Sequence, residues 1–124
     1  MSTTGLRRMR NKKAAEQRYL CFYCRFPMWS DRAEAFAGRH HITLGEAGRF
    51  RCTAEHLPAL GDGGKTIAGN IVAACHFCNE RRHRRAKRPS WTTCLARVRR
   101  RIAAKSWHPP TLHRLQRSIA SPAN

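Results

Sequence analysis

Acidic residues are scarce in this chain of 124: seven Asp and Glu stand against 25 Lys and Arg, a formal net charge of +18. A protein this small repels itself strongly at that charge unless a polyanion neutralises it. Nucleic acid is the expected partner, because a strongly basic domain is its usual electrostatic footprint. An anionic membrane surface is the rival, but no long basic amphipathic helix with a wide apolar face is legible. Also missing is any run of 18 apolar residues, which excludes a transmembrane helix. The opening MSTTGLRRMRNKKAAEQR is basic and lacks the apolar stretch of a secretory signal. The expected location is therefore a reducing cytoplasm, where six cysteines point to metal rather than to disulfides. No internal repeat or low-complexity tract is present. The length suits one compact domain with tails, not two full domains.

Within that frame the chain divides unevenly. Residues 1–18 read as a basic leader, disordered in its first half and able to form one helix over NKKAAEQRYL. It serves either as a solubilising tail or as an arm contacting phosphates. CFYCRFPMW then gathers aromatics around a tight turn. Residues 30–40 are weakly helical with Ser30 as candidate N-cap. Residues 41–44 are β-prone, and a glycine-flanked turn follows at 45–48. A strand is expected over 49–57, limited by Pro58. A glycine-rich loop occupies 58–70 and a second strand 71–74. The basic stretch 76–87 predicts a helix that Pro89 stops. A further helix is expected over 90–105, capped by Ser90 or Thr92. Leu95, Val98 and Ile102 share one of its faces, and Arg97, Arg99, Arg100, Arg101 and Lys105 the other. WHPP at 107–110 breaks the chain before a basic tail.

Cys21-x2-Cys24 and Cys75-x2-Cys78 are the strongest generic signal. Two such pairs can supply four thiolates to one tetrahedral Zn2+; the plain alternative is four buried thiols with no metal. A zinc site would carry much of the stability of so charged a chain, since structural zinc contributes roughly 10–16 kcal/mol in small domains. Cys52 and Cys94 have no such pairing and read as small core residues.

The segment RCTAEHLPALGDGGKTIAGNIVAACHFCNERR, residues 51–82, resembles the signature of the HNH endonucleases. The order is acidic residue and His, a Pro- and Gly-rich loop, Asn, a short apolar strand, C-x2-C, then Asn opening a basic helix. Cys21 and Cys24 match the zinc-stabilised branch of that family. The resemblance implies an α+β fold: a small ββα-metal (HNH) domain over 19–88 with a four-cysteine zinc site and flanking helices. The leader would precede it, and a basic helical extension, 89–124, would follow. It further implies Glu55 and Asn79 as ligands of a catalytic cation, His56 as general base and Asn70 as the residue that fastens the loop and orients His56. His83, four residues after Asn79, stands where colicin-type members place another ligand; otherwise it contacts phosphate or solvent. Two departures are visible: the family more often has Asp where Glu55 stands, and His where Asn79 stands.

The chemistry suits these residue types. A neutral His can take a proton from water at pH 7. A carboxylate and an amide oxygen suit Mg2+ or Mn2+, while a His ligand shifts preference toward Mn2+, Ni2+ or Zn2+. Arg81, Arg82, Arg84 and Arg85 crowd one helix without acidic i+4 partners; they are either a solvated face or, as favoured here, phosphate contacts. His40 and His41 read as structural or surface residues, and His76 as a hydrogen-bonding neighbour of the zinc knuckle. His108 and His113 carry no motif. The expected function is metal-dependent cleavage or nicking of double-stranded DNA by a monomer or homodimer. The alternative is a non-catalytic zinc-dependent nucleic-acid-binding protein, and an RNase or toxin nuclease would share the same site.

Overall fold

The computed structural model describes residues 3–58, 65–84 and 86–116. The chain runs through α1 (Thr3–Glu16), α2 (Ala33–His40), α3 (Leu44–Gly48), β1 (Cys52–His56), β2 (Ile71–Cys75), α4 (His76–Arg84) and α5 (Trp91–Ala103). Short 3-10 helical segments lie at Ala68–Asn70 and Pro110–Leu115. This is a small α+β fold around one two-stranded antiparallel sheet. Cys52 pairs with Cys75, Glu55 with Val72 and His56 with Ile71. No residue separates β2 from α4, so the hairpin feeds directly into a helix that packs back on both strands.

The small side chains of β2 explain the close packing. Ala73 and Ala74 are fully buried, and α1 lies against this strand. Gln17, just past α1, protects the strand's backbone edge. Its Nε2 donates to Ala73 O (2.8 Å) and its Oε1 accepts from Ala73 N–H (3.0 Å). One side-chain amide thus satisfies groups that an unpaired edge would expose. The expected disorder in the first half of the leader is corrected: α1 is helical from Thr3, and Ala14 is buried in the core.

The stretch expected as a short β run and a turn, 41–48, is also different. His41, at φ 55°, is a left-handed cap that ends α2. Thr43 then opens α3: its hydroxyl accepts from Glu46 N–H, and the Glu46 carboxylate accepts from Thr43 N–H. This reciprocal T-x-x-E capping box satisfies two otherwise orphaned donors. The β-prone residues were outweighed by caps on both sides. Ser30 is not the cap of α2, whose preceding residue is Arg32.

A single hydrophobic cluster joins all three stretches of the chain. It holds Ala14 from the leader, Phe26 stacked on Phe50 at 5.7 Å, and Leu112 and Leu115 from the far end. Helix α5 is capped by Ser90, whose Oγ accepts from Thr93 N–H at 3.2 Å. It buries Cys94, Val98 and Ile102 along one stripe. Fully burying a residue such as Val98 contributes about 1.5–3 kcal/mol. Among the described residues no helix is long and apolar enough to cross a membrane.

Candidate functional site

Two sites sit on the hairpin–helix unit. The first is the cysteine cluster. Cys21 and Cys24 occupy a tight turn in which Arg25 N–H reaches Cys21 O (3.0 Å) and Cys21 N–H reaches Phe26 O (2.9 Å). Arg25 takes φ 65° there, a left-handed position that ordinarily favours glycine. Cys75 ends β2, and Cys78 lies in the first turn of α4. All four sulfurs are buried and lie within 4.8 Å of one another. Zn–S bonds of about 2.3 Å in a tetrahedron place sulfurs about 3.8 Å apart, and Cys24 Sγ is 3.9 Å from Cys75 Sγ. The donor set and spacing therefore fit a metal ion such as zinc. Electrostatics agree. Burial opposes ionisation of Cys21, but hydrogen bonds from Cys24, Cys75 and Cys78 overcome it and hold that thiol well below its usual value. Burial pushes Cys24 and Cys78 well above theirs. Sulfurs this close ionise together only around a cation.

The thiols are held from outside by groups the sequence left unassigned. Trp107 Nε1–H donates to Cys78 Sγ (3.3 Å), and His108 Nε2 lies 3.4 Å from Cys24 Sγ. Arg49 donates to His108 Nδ1, with Nη2 at 3.0 Å. Since a guanidinium can only donate, His108 carries its proton on Nε2 and points it at sulfur. Burial and then Arg49 press the His108 pKa down to about 3, keeping the ring neutral. His76, expected to serve the knuckle, turns away and bonds Arg51 (3.2 Å) and Glu80 (3.0 Å). Cys52 and Cys94 are buried and pushed up to about 11, mainly by desolvation. They are neutral thiols at pH 7, as core residues should be.

The second site lies where β1 meets α4. Glu55 is 1% exposed, yet both its oxygens are partnered. Its Oε1 is 2.9 Å from His83 Nε2; its Oε2 accepts from Arg82 Nη1 (3.0 Å) and Tyr23 OH (2.9 Å). Burial and Glu55 both drive the Tyr23 pKa upward, so the phenol stays a donor. Although burial works against its charge, Arg82 is held above its usual pKa by Glu55. Arg82 also donates to the carbonyls of His56 (3.0 Å), Leu57 (2.8 Å) and Pro89 (3.0 Å). At 3% exposure it is committed to these internal acceptors, unlike the exposed phosphate contact expected. The reason is its position: α4 packs on β1 with Arg82 facing inward, whereas Arg81 and Arg84 face outward. Arg85 lies outside the described residues.

Asn79 Nδ2 donates to Thr53 Oγ1 (3.1 Å) and Ala54 O (3.3 Å), fastening α4 to β1. Its amide oxygen has no partner among the described residues. Asn79 and His83 border an open hollow of about 400 Å³ with Thr53, His76, Glu80 and Arg84. Two adjacent ligands of an octahedral cation with bonds of about 2.1 Å stand about 3 Å apart, close to the separation of Glu55 Oε1 and His83 Nε2. Among the described residues, however, no second group of three His, Cys, Asp or Glu side chains converges. His56 Nε2 is 3.1 Å from Thr66 Oγ1. Burial lowers its pKa, Glu55 opposes that shift and His83 adds to it. Among the described residues no hydrogen bond joins the Asn70 side chain to His56. Its Nδ2 donates to Lys65 O (3.1 Å), one residue before Thr66, and its carbonyl accepts from Leu57 N–H (2.8 Å). It therefore ties down the loop, and the loop carries the partner of His56.

No family model, curated protein or solved structure matches this chain.

Proposed function

We propose that this protein is a metal-dependent endonuclease of the HNH type that hydrolyses phosphodiester bonds of double-stranded DNA. The observation that carries the reading is the approach of Glu55 on β1 to His83 on α4, at 2.9 Å, beside a hollow bordered by Asn79. His56 is the next residue along the strand and is kept neutral by burial. Glu55, His83 and the unpartnered oxygen of Asn79 would hold the divalent cation, Mg2+ or Mn2+ with Ni2+ or Zn2+ as rivals. That ion would supply Lewis-acid stabilisation at the scissile phosphate.

The remaining work falls to the chain. In the tautomer whose Nε2–H donates to Thr66 Oγ1, His56 would offer the lone pair on Nδ1 to the attacking water. Water's oxygen bonds to phosphorus as its proton moves to His56, and the 3′ oxygen leaves with the bonding pair and takes a proton from solvent. Asn70 holds the loop that carries Thr66 and so limits rotation of the imidazole. The cysteine cluster, loaded with zinc, keeps β2 and α4 in register with the turn at Cys21.

A second reading, a non-catalytic zinc-dependent nucleic-acid-binding protein, is favoured by one feature: Arg82 and Tyr23 already satisfy Oε2 of a fully buried Glu55. Supercoiled plasmid separates the two. Folded, zinc-loaded protein is expected to nick or cut it with added Mg2+, Mn2+ or Ni2+ and to stop when EDTA is added briefly. Unchanged plasmid under every metal, with DNA still bound, would overturn the nuclease reading in favour of the second.

A further inference from the structure

A cationic cleft extends from α4 onto α5, a helix outside the resemblance. Helices α4 and α5 meet along a cleft of about 220 Å³. Arg81, Arg84 and the buried Arg82 line it from α4, and Arg97, Val98 and Arg101 from α5, together with Trp107. Arg97 and Arg101 are one turn apart, so both guanidinium groups rise from the same face. Among the described residues, Arg81, Arg97 and Arg101 have no acidic partner. Arg84 pairs with Glu80, four residues before it, which corrects the expectation that these arginines lack acidic i+4 partners. Arg81 leans over Trp107, with its guanidinium carbon 5.7 Å from the ring centre.

Like charges gathered without acids are unfavourable unless an anion joins them. The volume falls below the roughly 300–1,000 Å³ of an enclosing small-molecule pocket. A charged chain crossing an open cleft fits better than a ligand sealed within it. Arg84 decides the direction, because it lines both this cleft and the hollow at Asn79 and His83.

We propose that the α4–α5 cleft is a phosphate-binding groove that carries a nucleic-acid strand away from the Asn79–His83 hollow. Arg97 and Arg101 grip successive backbone phosphates, and Arg81, steadied on Trp107, completes the rim. The inference rests on nucleic acid being the partner; it does not require cleavage.

The test is binding of a short labelled DNA duplex by the full chain carrying His56→Ala, with zinc bound, across a range of salt. Binding is then read whether or not the parent protein cuts. Removing two phosphate contacts reduces the slope of log K against log salt by about 2, at roughly 0.9 per phosphate. Arg97→Ala/Arg101→Ala is expected to show that loss with its helix content intact. Arg97→Lys/Arg101→Lys is expected to recover most of it. Arg32→Ala/Arg39→Ala removes equal charge from outside the cleft and is expected to change the slope by less than about 0.5. An unchanged slope in the cleft pair, or equal losses in both Ala pairs, would overturn the groove. A parent slope near zero would instead overturn nucleic acid as the partner.

Discussion

The cysteine cluster and the Glu55–His83 site share α4 and the turn at Cys21, but they are built in opposite ways. In the first, four identical groups face one point, and everything around them supports that convergence. Trp107 and His108 donate to sulfur, as do the amides of Cys75 and Cys78. In the second, each side chain divides its atoms between architecture and chemistry. Glu55 gives one oxygen to Arg82 and Tyr23 and the other to His83. Asn79 uses its nitrogen on β1 and keeps its oxygen. A site of the first kind fails as a whole; a site of the second kind can lose its chemistry while the fold survives, or the reverse, according to which atom is removed.

The widest separation should come from metal removal. Cys75→Ser, or prolonged chelation of the parent, is expected to abolish the fold, since structural zinc contributes roughly 10–16 kcal/mol. Circular dichroism alongside zinc content reads it. A folded, zinc-free protein would remove the cluster from the stability argument.

Next come the neighbouring arginines. Arg82→Ala leaves Glu55 buried without its cation and should cost about 3–5 kcal/mol in urea unfolding of the zinc-loaded protein. Arg81→Ala should stay within about 0.5 kcal/mol and weaken DNA binding instead. Equal stability of the two variants would break the distinction between inward and outward faces of α4.

The catalytic contrast is smaller in energy and sharper in kind. His56→Ala should lose plasmid cleavage by at least about 100-fold, with zinc content, fold and DNA binding unchanged. His83→Ala and Asn79→Ala sharpen the ligand assignment. Equal losses of metal-dependent cleavage make both ligands; a mild loss in His83→Ala makes it auxiliary. Near-normal cleavage by His56→Ala would refute its role as general base.

The smallest effect is expected around the sulfurs. His108→Ala should weaken zinc retention about 10- to 100-fold, measured by competition with a chromogenic chelator. His41→Ala, at a ring placed elsewhere, should leave it unchanged. Equal retention in both would reduce His108 to a packing residue.

The sequence alone determined the local grammar. Paired C-x2-C spacing marked the four converging cysteines, and short β-prone runs on either side of a glycine-rich loop marked the strands now seen at Cys52–His56 and Ile71–Cys75. Ser90 before a stripe at Val98 and Ile102 marked α5. Thr43 and Glu46 also carried a readable capping box, which the β-prone residues before it obscured. These features are legible because spacing, propensity and capping act within a few residues. Tertiary structure decided what a side chain's chemistry cannot reveal. Arg81 and Arg82 are identical and adjacent, but helical geometry turns them apart, and only the packing of α4 on β1 selects Arg82 for Glu55. His108 stands 84 residues from Cys24, in a stretch without motif, and Gln17 reaches β2 across 56 residues. Contacts at that separation depend on where the whole chain closes, because no local preference records which distant donor will meet a sulfur or a strand edge.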